Sequence, residues 1–568
     1  MDVAAENAMW VKTFREQNGR APRVLHIGNI ANNAYLNAKF LNAKGFDCDV
    51  LCHDYRHIMA CPEWEDAEFV VAGLDHLAPD WVAAKAAGFT RPRWFVQGPQ
   101  NLCIDYLIAK RSGRARRAAR LWLRLGHENG TRRPSKLSVG HTLSAGHVWI
   151  SNWVRKSLRR LADFMGAVIR RPDALSLARE KIESVSGAHE SLRHLLVMHL
   201  IAPVLLVGVR WVKLTGRPAL AALEWTVGSS HSDMQRIERG MQRIEACVEK
   251  FQQTFPDRAD QLTVGDCLPY LSSLEQWEKL FQHYDVIQAY ATAVAYPLLA
   301  GNQSYVGFEH GTLREFTVAD NATSRLTSLG YQSANHVLIT NGDCLQYAKN
   351  IKVETYTAMI HPVDDARISA VVGDYEGVHR RYGVRYLFFC PLRHDWAIKG
   401  ADKYIRALPA LARHLNRDFR LIMTKWGSQI DDSMRLAEEL GVADLIVWVD
   451  PLSRAQMVPL QKSVDVVFDQ IALPHFGSTA PQAIATGTPV IMSYDPASTS
   501  WIIPEAAPIL SAWTEEEIVS GVVTAVDPEW LADYKKRAAD WYNRYHSASV
   551  VVEKLSHVYR EIIESKTS

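Results

Sequence analysis

The stretch Val464–Tyr494, VDVVFDQIALPHFGSTAPQAIATGTPVIMSY, decides the fold of this chain. Its apolar start, Val464–Phe468, predicts a buried strand, and a glycine-bearing loop follows. The segment Ser478–Thr486 predicts a short helix that Gly487 ends, and Pro489–Met492 predicts the next strand. In such a unit the loop lies at the carboxyl end of a parallel strand, where the N-terminus of the helix can bind an anionic ligand.

This stretch resembles the sugar-nucleotide signature of the retaining GT-B glycosyltransferases of family 4, or group 1, which act in bacterial surface polysaccharide synthesis. Their usual pattern is E-G-F-G-x-x-x-x-E-A-x-x-x-G-x-P-V-I. The matching positions are Phe476, Gly477, Ala483, Gly487, Pro489, Val490 and Ile491. Pro474 replaces the first acid, whose role Asp469 or His475 would have to take over, and Gln482 replaces the second. In the family the second acid holds the ribose hydroxyls, which a Gln amide can also do without a charge.

The length of the chain and the resemblance together predict its domain organisation. A chain of 568 residues is too long for a single core, so two or three domains are expected. The predicted fold class is α/β, with two Rossmann-like domains that face a cleft and a basic, largely helical insert in the first. The expected parts are the N-terminal domain at 1–105 and 226–362 (acceptor side), the insert at 106–225, the C-terminal domain at 363–540 (donor side), and a helix at 541–568 that crosses back. An ordinary doubly wound domain is the alternative.

Positive charge is concentrated in the insert, although the net charge of the whole chain is only +2. Between Tyr106 and Thr215, 21 Lys and Arg stand against 6 Asp and Glu. Within this region Ile150–Val168 places apolar residues on one helical face beside basic ones. Leu195–Val209 is almost wholly apolar but is shorter than the ~20 residues that a straight membrane-spanning helix needs.

These features predict that the insert attaches the protein to an anionic membrane surface, since a basic amphipathic helix with Trp is typical of the lipid headgroup region. For Leu195–Val209 three interpretations remain open: a segment that enters one leaflet, a protein core or oligomer contact, and a true span. Nucleic-acid binding is the other use of such charge, and we do not expect it.

The N-terminus and the cysteines predict a cytoplasmic protein, attached peripherally to the inner face of the membrane. Met1–Gly19 carries acids early and has no apolar core of signal-peptide length. Eight cysteines without regular spacing suit a reducing compartment. The segment Cys48–Cys61 holds three Cys and two His, which we interpret as core cysteines and polar loop residues, with zinc binding as the alternative.

The N-terminal domain opens with Arg23–Ile27, whose apolar run predicts the first strand, and a helix is predicted at Ala34–Lys44. No G-x-G-x-x-G pattern lies between them, so no dinucleotide and no other cofactor is expected. The resemblance implies that the intervening loop contacts acceptor or donor phosphate. The groups expected there are Gly28, Asn29, Asn32 and Asn33. Capping of the helix by Asn32 or Asn33 is an equally good interpretation.

A second cleft loop is predicted within Tyr305–Phe316, YVGFEHGTLREF, where a short strand ends at Glu309 and His310. Related enzymes carry a His at the cleft at this point. The resemblance therefore implies that His310 touches the transferred sugar or handles the acceptor proton, with Glu309 beside it. A His that is hydrogen-bonded in a turn is the alternative. Asn335–Thr340 predicts the last strand of this domain, and His361–Asp364 the linker to the next.

The C-terminal domain begins with Tyr386–Cys390, an apolar run that predicts a buried strand. After it, the resemblance implies that Arg393 and Lys399 bind the donor diphosphate, because fixed cations stabilise the charge on the leaving group without a metal. A solvated helix start is the alternative. The other donor contacts that the resemblance implies are Gly427, Val449, Leu452, Asp469, His475, Phe476, Gly477, Ser478, Thr479 and Gln482.

The sequence thus predicts a metal-independent glycosyltransferase of the hexosyl type. It would move a sugar from a nucleotide-diphosphate sugar to a lipid-linked or saccharide acceptor at the cytoplasmic membrane face, in cell-surface polysaccharide or glycolipid synthesis. Two other classes stay open. One is a catalytically silent GT-B homologue that acts as a scaffold, which the replaced acids permit. The other is a GT-B-fold sugar-nucleotide epimerase, which has no evident need for a membrane-attaching insert.

Overall fold

The computed structural model describes residues 3–53, 55, 57–67, 75–77, 79–86, 88–128, 219–302, 304–474 and 477–566. The chain divides into two compact units, one formed by Met1–Arg132 with Arg243–Ser568 and the other by Arg133–Gln242. In the second unit the described residues are 219–242, which are helical. The helices predicted at Ile150–Val168 and Leu195–Val209 lie outside the described residues.

The first unit contains two parallel sheets. The strands of the first sheet are β1 (Arg23–Ile27), β2 (Asp47–His53), β3 (Phe95–Gly98), β4 (Val286–Tyr290), β5 (Tyr305–Phe308), β6 (His336–Ile339) and β7 (Tyr356–Ala358). In the described part of the chain their spatial order is β3-β2-β1-β4-β5-β6-β7, and every pair is parallel. Most of these strands are apolar and buried, as expected for a parallel sheet that is covered on both faces.

The second sheet is built in the same way. Its strands are β8 (Tyr386–Cys390), β9 (Phe419–Thr424), β10 (Ile446–Val449), β11 (Val466–Phe468), β12 (Val490–Met492) and β13 (Leu510–Ser511). They lie in the order β10-β9-β8-β11-β12-β13, and all neighbours are parallel. The strand order reverses beside β8, and in open parallel sheets a ligand binds at such a switch point.

Helices surround the first sheet, and we call this assembly the N-terminal lobe. Its helices up to the gap in the described residues are α1 (Val3–Asn18), α2 (Asn33–Ala43), α3 (Pro62–Asp66), α4 (Val82–Ala86), α5 (Gln100–Arg111) and α6 (Ala115–Glu128). After the gap comes α7 (Ala219–Thr254), of which the part from Arg243 onward belongs to this unit. It is followed by α8 (Val264–Cys267), α9 (Leu274–Phe281), α10 (Ala295–Leu299), α11 (Thr312–Phe316), α12 (Ala322–Gln332) and α13 (Cys344–Asn350).

The second sheet and its helices form the C-terminal lobe. These helices are α14 (Asp365–Ala370), α15 (Tyr375–Tyr382), α16 (Trp396–Lys399), α17 (Ala401–His414), α18 (Ile430–Glu439), α19 (Arg454–Gln461), α20 (Thr479–Ala485), α21 (Pro496–Thr499), α22 (Glu515–Ala525) and α23 (Pro528–Tyr545). The final helix, α24 (Ala548–Ser565), packs against α1 and α2 of the N-terminal lobe. From α24 the Tyr559 hydroxyl donates to Gln288 Oε1 on β4 at 2.6 Å.

The predicted fold class is confirmed, because the structure consists of two Rossmann-like lobes of parallel sheet. One strand was missed, since β7 follows β6 at the edge of the first sheet and β6 is therefore not the last strand of its lobe. The short run Tyr356–Ala358 is only half-buried, so its apolar signal is weak.

The start of the predicted insert belongs to the N-terminal lobe. Residues 106–111 complete α5, and α6 packs against that helix. Lys110 Nζ lies 2.5 Å from Asp49 Oδ1, and Arg111 Nε donates to Asp49 Oδ2 at 2.7 Å. Two of the cations that we assigned to the insert are therefore paired with a buried carboxylate on β2.

Candidate functional site

The lobes meet at the carboxyl ends of their strands, which is where ligands bind in open parallel sheets. Several contacts join the lobes, and two of them lie as follows. The Trp501 indole nitrogen donates to the Gly342 carbonyl at 2.9 Å, and Lys39 Nζ lies 2.8 Å from Asp364 Oδ2. The loops after β1, β5, β8 and β11 border the space between them.

Asn29 and Asn32, in the loop after β1, hydrogen-bond to backbone groups of their own lobe. Asn29 accepts from the Tyr35 N–H at 3.0 Å and donates to the Ala60 carbonyl at 2.9 Å. Asn32 donates to the Cys61 carbonyl at 3.0 Å, and both side chains are buried. Their predicted contact with phosphate or acceptor stays a prediction. Gly28, with φ of +90°, supplies the turn, and its N–H donates to a carbonyl of β2.

Asn33, the third asparagine, joins two histidines at the cleft. Its amide donates to His361 Nδ1 at 3.1 Å and also contacts His310 Nε2. The two imidazole rings stack with centroids 5.0 Å apart. Burial lowers the pKa of His310, although Glu309 acts in the opposite direction, and burial lowers the pKa of His361 further. Both rings are thus neutral near pH 7. Among the described residues, none hydrogen-bonds to Nδ1 of His310.

Glu309 is hydrogen-bonded to the loop after β6, and its predicted role beside His310 stays a prediction. The side chain is fully buried, and its Oε2 accepts from the Thr340 N–H at 3.1 Å and from the Asn341 N–H at 3.2 Å. Glu309 thus holds the loop after β6 in place.

The predicted donor cations lie in the loop after β8. Lys399 Nζ donates to Gln470 Oε1 at 2.6 Å, and Arg393, which is 41% exposed, lies 3.2 Å from Asp395 Oδ2. Burial lowers the pKa of Lys399, the Asp469 carboxylate acts in the opposite direction, and Arg393 lowers it further. The charges of Arg393 and Lys399 thus act on each other, and two cations placed in this way could bind a diphosphate together.

Arg314 is a third cation at this place, and the sequence analysis missed it. It lies on α11 of the N-terminal lobe, where its Nη1 donates to Asp343 Oδ2 at 2.6 Å. Its charge also lowers the pKa of Lys399 across the cleft. The available signal was its position four residues after His310 in YVGFEHGTLREF.

The N-terminus of α20 is partly occupied by the protein's own carboxylate. Asp469 Oδ2 accepts from the Ala480 N–H at 3.0 Å, and Oδ1 accepts from the Gln470 N–H at 2.8 Å. Burial raises the pKa of Asp469, and Lys399 opposes that shift. Gly477, Ser478 and Thr479 border this helix end and are half-buried, whereas His475 and Phe476 lie outside the described residues.

Gln482, the residue in place of the second acid of the signature, is paired with an arginine that the sequence analysis also missed. Arg454 Nη1 donates to Gln482 Oε1 at 2.9 Å, and its Nη2 contacts Ser478 Oγ. Arg454 Nε lies 3.8 Å from Glu65 Oε2 on α3 of the opposite lobe. All three long side chains are at least nine-tenths buried. We call Glu65 and Arg454 the latch, because they join the lobes beside the donor loop.

Gly427, Val449 and Leu452, which were predicted as donor contacts, lie along the loops after β9 and β10. Gly427, with φ of +109°, is so close to His394 that a Cβ would lie 2.4 Å from the His394 nitrogen. Val449 and Leu452 are half-buried, and the Val449 carbonyl accepts from the Lys425 N–H at 2.7 Å. Gly427 is therefore required by backbone packing, whether or not it also contacts the donor.

We predict that acidification closes the cleft through the latch. Burial raises the pKa of Glu65 to about 7 from an ordinary 4.5, although Arg454 opposes the shift. Opening the cleft would expose Glu65 and return its pKa towards 4.5, so the closed form binds the proton more tightly. Lowering the pH from 8 to 5 should therefore favour closure, by on the order of 3 kcal/mol. Small-angle scattering should show a radius of gyration that decreases as the pH is lowered.

Two variants test whether Glu65 causes this pH dependence. Glu65→Gln should be closed at every pH, because the amide carries no charge to be desolvated. Glu376→Gln, at a side chain that is 90% exposed, should keep the dependence of the parent protein. A radius of gyration that rises on acidification would contradict the prediction.

Among the described residues no group of three or more His, Cys, Asp or Glu is arranged to hold a metal ion. Cys48, Cys52 and Cys61 are buried in and beside the first sheet. No helix in the described ranges is both long and apolar enough to cross a bilayer.

Two lobes of parallel sheet with a ligand face between their strand ends define the GT-B class of fold. No protein-family model matches the chain. The D-inositol 3-phosphate glycosyltransferase of Mycolicibacterium smegmatis is 39% identical over 64 residues, which are 11% of this chain and 15% of that protein. An uncharacterized glycosyltransferase of Methanocaldococcus jannaschii is 33% identical over 95 residues, or 17% of this chain and 24% of that protein.

The chain thus matches about a quarter or less of the length of these curated relatives. Both relatives are glycosyltransferases, and the predicted resemblance to that group is confirmed. Among solved structures, sucrose-phosphate synthase from Thermosynechococcus elongatus is 14% identical with a TM-score of 0.41, over 52% of this chain and 79% of that one. HepE from Anabaena, in complex with UDP and glucose, is 14% identical with a TM-score of 0.44, over 51% of this chain and 81% of that one.

Proposed function

We propose that this protein is a glycosyltransferase that moves a hexose from a nucleotide-diphosphate sugar to a lipid-linked or saccharide acceptor. The observation that carries the proposal is the set of three cations, Arg314, Arg393 and Lys399, which both lobes contribute to one side of the cleft. The matched segments of two glycosyltransferases support it.

Each part of the cleft has a role in this proposal. The cations would bind the diphosphate and stabilise the charge that builds on it as the glycosidic bond breaks, so no divalent metal would be required. Gln482 with Arg454 would meet the ribose hydroxyls. On the opposite wall His310, neutral and fixed by Asn33, would hydrogen-bond a hydroxyl of the transferred sugar or accept the acceptor proton.

A screen of sugar nucleotides tests the proposal. The protein should bind at least one nucleoside-diphosphate hexose and hydrolyse it slowly, and it should transfer the hexose when a polyprenyl-linked saccharide is added. Both reactions should continue in the presence of a chelator. Binding without hydrolysis or transfer would favour a silent scaffold, and interconversion of two sugar nucleotides would favour an epimerase.

We further propose that the reaction takes place at the cytoplasmic face of the membrane, in the synthesis of a surface polysaccharide or glycolipid. The helix α6 supports this attachment, because its arginines are exposed while Leu121 and Leu125 are buried against the lobe. The exposed arginines are Arg114, Arg116, Arg117, Arg120 and Arg124. Since the apolar face of α6 is used for packing, this helix would contribute charge and no deep insertion.

The double variant Arg116→Gln, Arg120→Gln should weaken binding to anionic vesicles by roughly 30-fold. Each arginine near an anionic surface contributes on the order of 1 kcal/mol. Co-sedimentation at low salt measures the effect, which should shrink as salt screens the charges. Lys535→Gln, Lys536→Gln on α23 removes two equally exposed cations and should leave binding unchanged. Equal losses in both double variants would remove α6 from the membrane contact.

A further inference from the structure

A cavity of about 330 Å³ lies in the N-terminal lobe, and Arg314, Arg393 and Lys399 are not among its lining residues. It is bordered by α6, by α3 and by the segment that leads into β3. Its walls are aromatic, with Phe89, Phe95 and Trp122, and carry the charged side chains Glu63 and Arg91. Lys85, whose Nζ donates to the Gly126 carbonyl at 3.3 Å, ties α4 to the end of α6 at its border.

The charged pair has unused hydrogen-bonding capacity that is buried in this cavity. Arg91 Nε donates to Glu63 Oε1 at 2.6 Å, and the two side chains are 10% and 0% exposed. The guanidinium also lies over the Phe95 ring, 5.8 Å from its centroid. In the described part of the chain, Glu63 Oε2 and Arg91 Nη1 have no hydrogen-bond partner. Buried polar atoms without partners destabilise a fold, so their retention points to a ligand that supplies partners.

The arrangement discriminates between classes of ligand. An anion would meet the Glu63 carboxylate and a cation would meet Arg91, so a charged ligand gains little from a neutral pair. An acyl chain would fill the aromatic walls but would leave both polar atoms unpaired. A sugar ring fits all of these features, because its hydroxyls can donate to Glu63 and accept from Arg91. Its apolar C–H face can pack on the aromatic rings.

We propose that this cavity, which we call the saccharide subsite, binds a neutral sugar ring. The inference rests on the proposed function in one respect: the ring would belong to the acceptor, held apart from the donor site. The subsite and the latch share α3, since Glu63 and Glu65 are two residues apart and face opposite sides of it. A sugar bound in the subsite would therefore contact α3, the helix that carries Glu65 of the latch.

Binding of neutral sugars without any donor present tests the subsite. The probes are the methyl glycosides of glucose, galactose, mannose and N-acetylglucosamine and their disaccharides, followed by saturation-transfer NMR and calorimetry on the full-length protein. At least one glycoside should bind. Trp122→Ala should raise its Kd at least tenfold, because the ring loses an aromatic wall. The matched control is Leu123→Ala on the same helix, at a side chain that is 62% exposed, and its Kd should stay within twofold of the parent value.

A second variant addresses the polar pair. Glu63→Gln keeps the size of the side chain, and it should also raise the Kd at least tenfold while thermal unfolding shows that the protein still folds. Should that variant fail to fold, Trp122→Ala alone decides the result. No glycoside binding, equal weakening by Leu123→Ala, or tighter binding of inorganic phosphate or octanol in place of sugars would overturn the proposal.

The experiments can refute the saccharide subsite and the proposed function independently of each other. Loss of sugar-nucleotide hydrolysis and transfer with retained glycoside binding would contradict the transferase and leave the subsite. Hydrolysis without glycoside binding would contradict the subsite and leave the transferase.

Discussion

Lys399→Ala should lower the rate of sugar transfer by roughly 30- to 1,000-fold. Removing one preorganised group that stabilises developing charge costs ~2–4 kcal/mol in the transition state. Lys399 fits that description, because it is half-buried, its Nζ donates to Gln470, and the charges of Arg393 and Arg314 act on it. Steady-state kinetics should show the loss mainly in kcat, since the charge on the diphosphate is greatest as the bond breaks.

Controls separate this role from a general effect on the fold. Lys403→Ala, four residues later on α17, removes a lysine that donates to the Trp513 carbonyl, and it should leave the rate nearly unchanged. Arg393→Ala should have a smaller effect than Lys399→Ala, because Arg393 is 41% exposed and its charge is screened by solvent. Transfer at the parent rate by Lys399→Ala would remove the diphosphate assignment.

The pH dependence offers a second measure of the same site. Because burial lowers the pKa of Lys399, its charge should be lost at a lower pH than for an ordinary lysine. The alkaline limb of kcat/KM in the free enzyme should therefore lie below the normal lysine range. Lys399→Arg should move that limb to higher pH, since a guanidinium keeps its proton.

Gly342→Ala should lower transfer by at least ~100-fold while leaving each lobe folded. A Cβ at Gly342 would lie 2.2 Å from the Ser498 carbonyl oxygen on α21, so backbone of the two lobes would have to separate. The contact also includes the hydrogen bond from Trp501 to the Gly342 carbonyl. Overpacking of this kind costs about 3 kcal/mol. Here an opening of the cleft would relieve the overlap, and it would move Arg314 away from Lys399.

Scattering and unfolding measurements identify the cause of that loss. The radius of gyration of Gly342→Ala should exceed that of the parent protein, and its thermal unfolding should change little. Gly265→Ala, on α8, is the matched control, because its Cβ would meet only Thr263 Oγ1 at an ordinary 3.6 Å. An active Gly342→Ala variant with an unchanged radius of gyration would show that closure does not depend on this contact.

The sequence by itself determined the architecture of each lobe. Apolar runs such as Tyr386–Cys390 became buried parallel strands, and Gly487 ends α20 with φ of +77°. Both features depend on neighbours within a few residues, namely the spacing of apolar side chains and the freedom of glycine at positive φ. Arg393 and Lys399 were assigned to the donor from the resemblance to the GT-B glycosyltransferases and not from such a local pattern.

Only the tertiary structure decided which polar side chains face the cleft. Asn29 and Asn32 turn inward to hold a loop some 30 residues away, and Glu309 turns inward to Thr340. The charge of Arg314 acts on Lys399 from the opposite lobe, and Glu65 lies beside Arg454 across hundreds of residues of chain. Such pairs form because two lobes bring their strand ends together, and burial then makes each unpaired polar atom costly. That cost depends on distant residues, so no local pattern could have shown it.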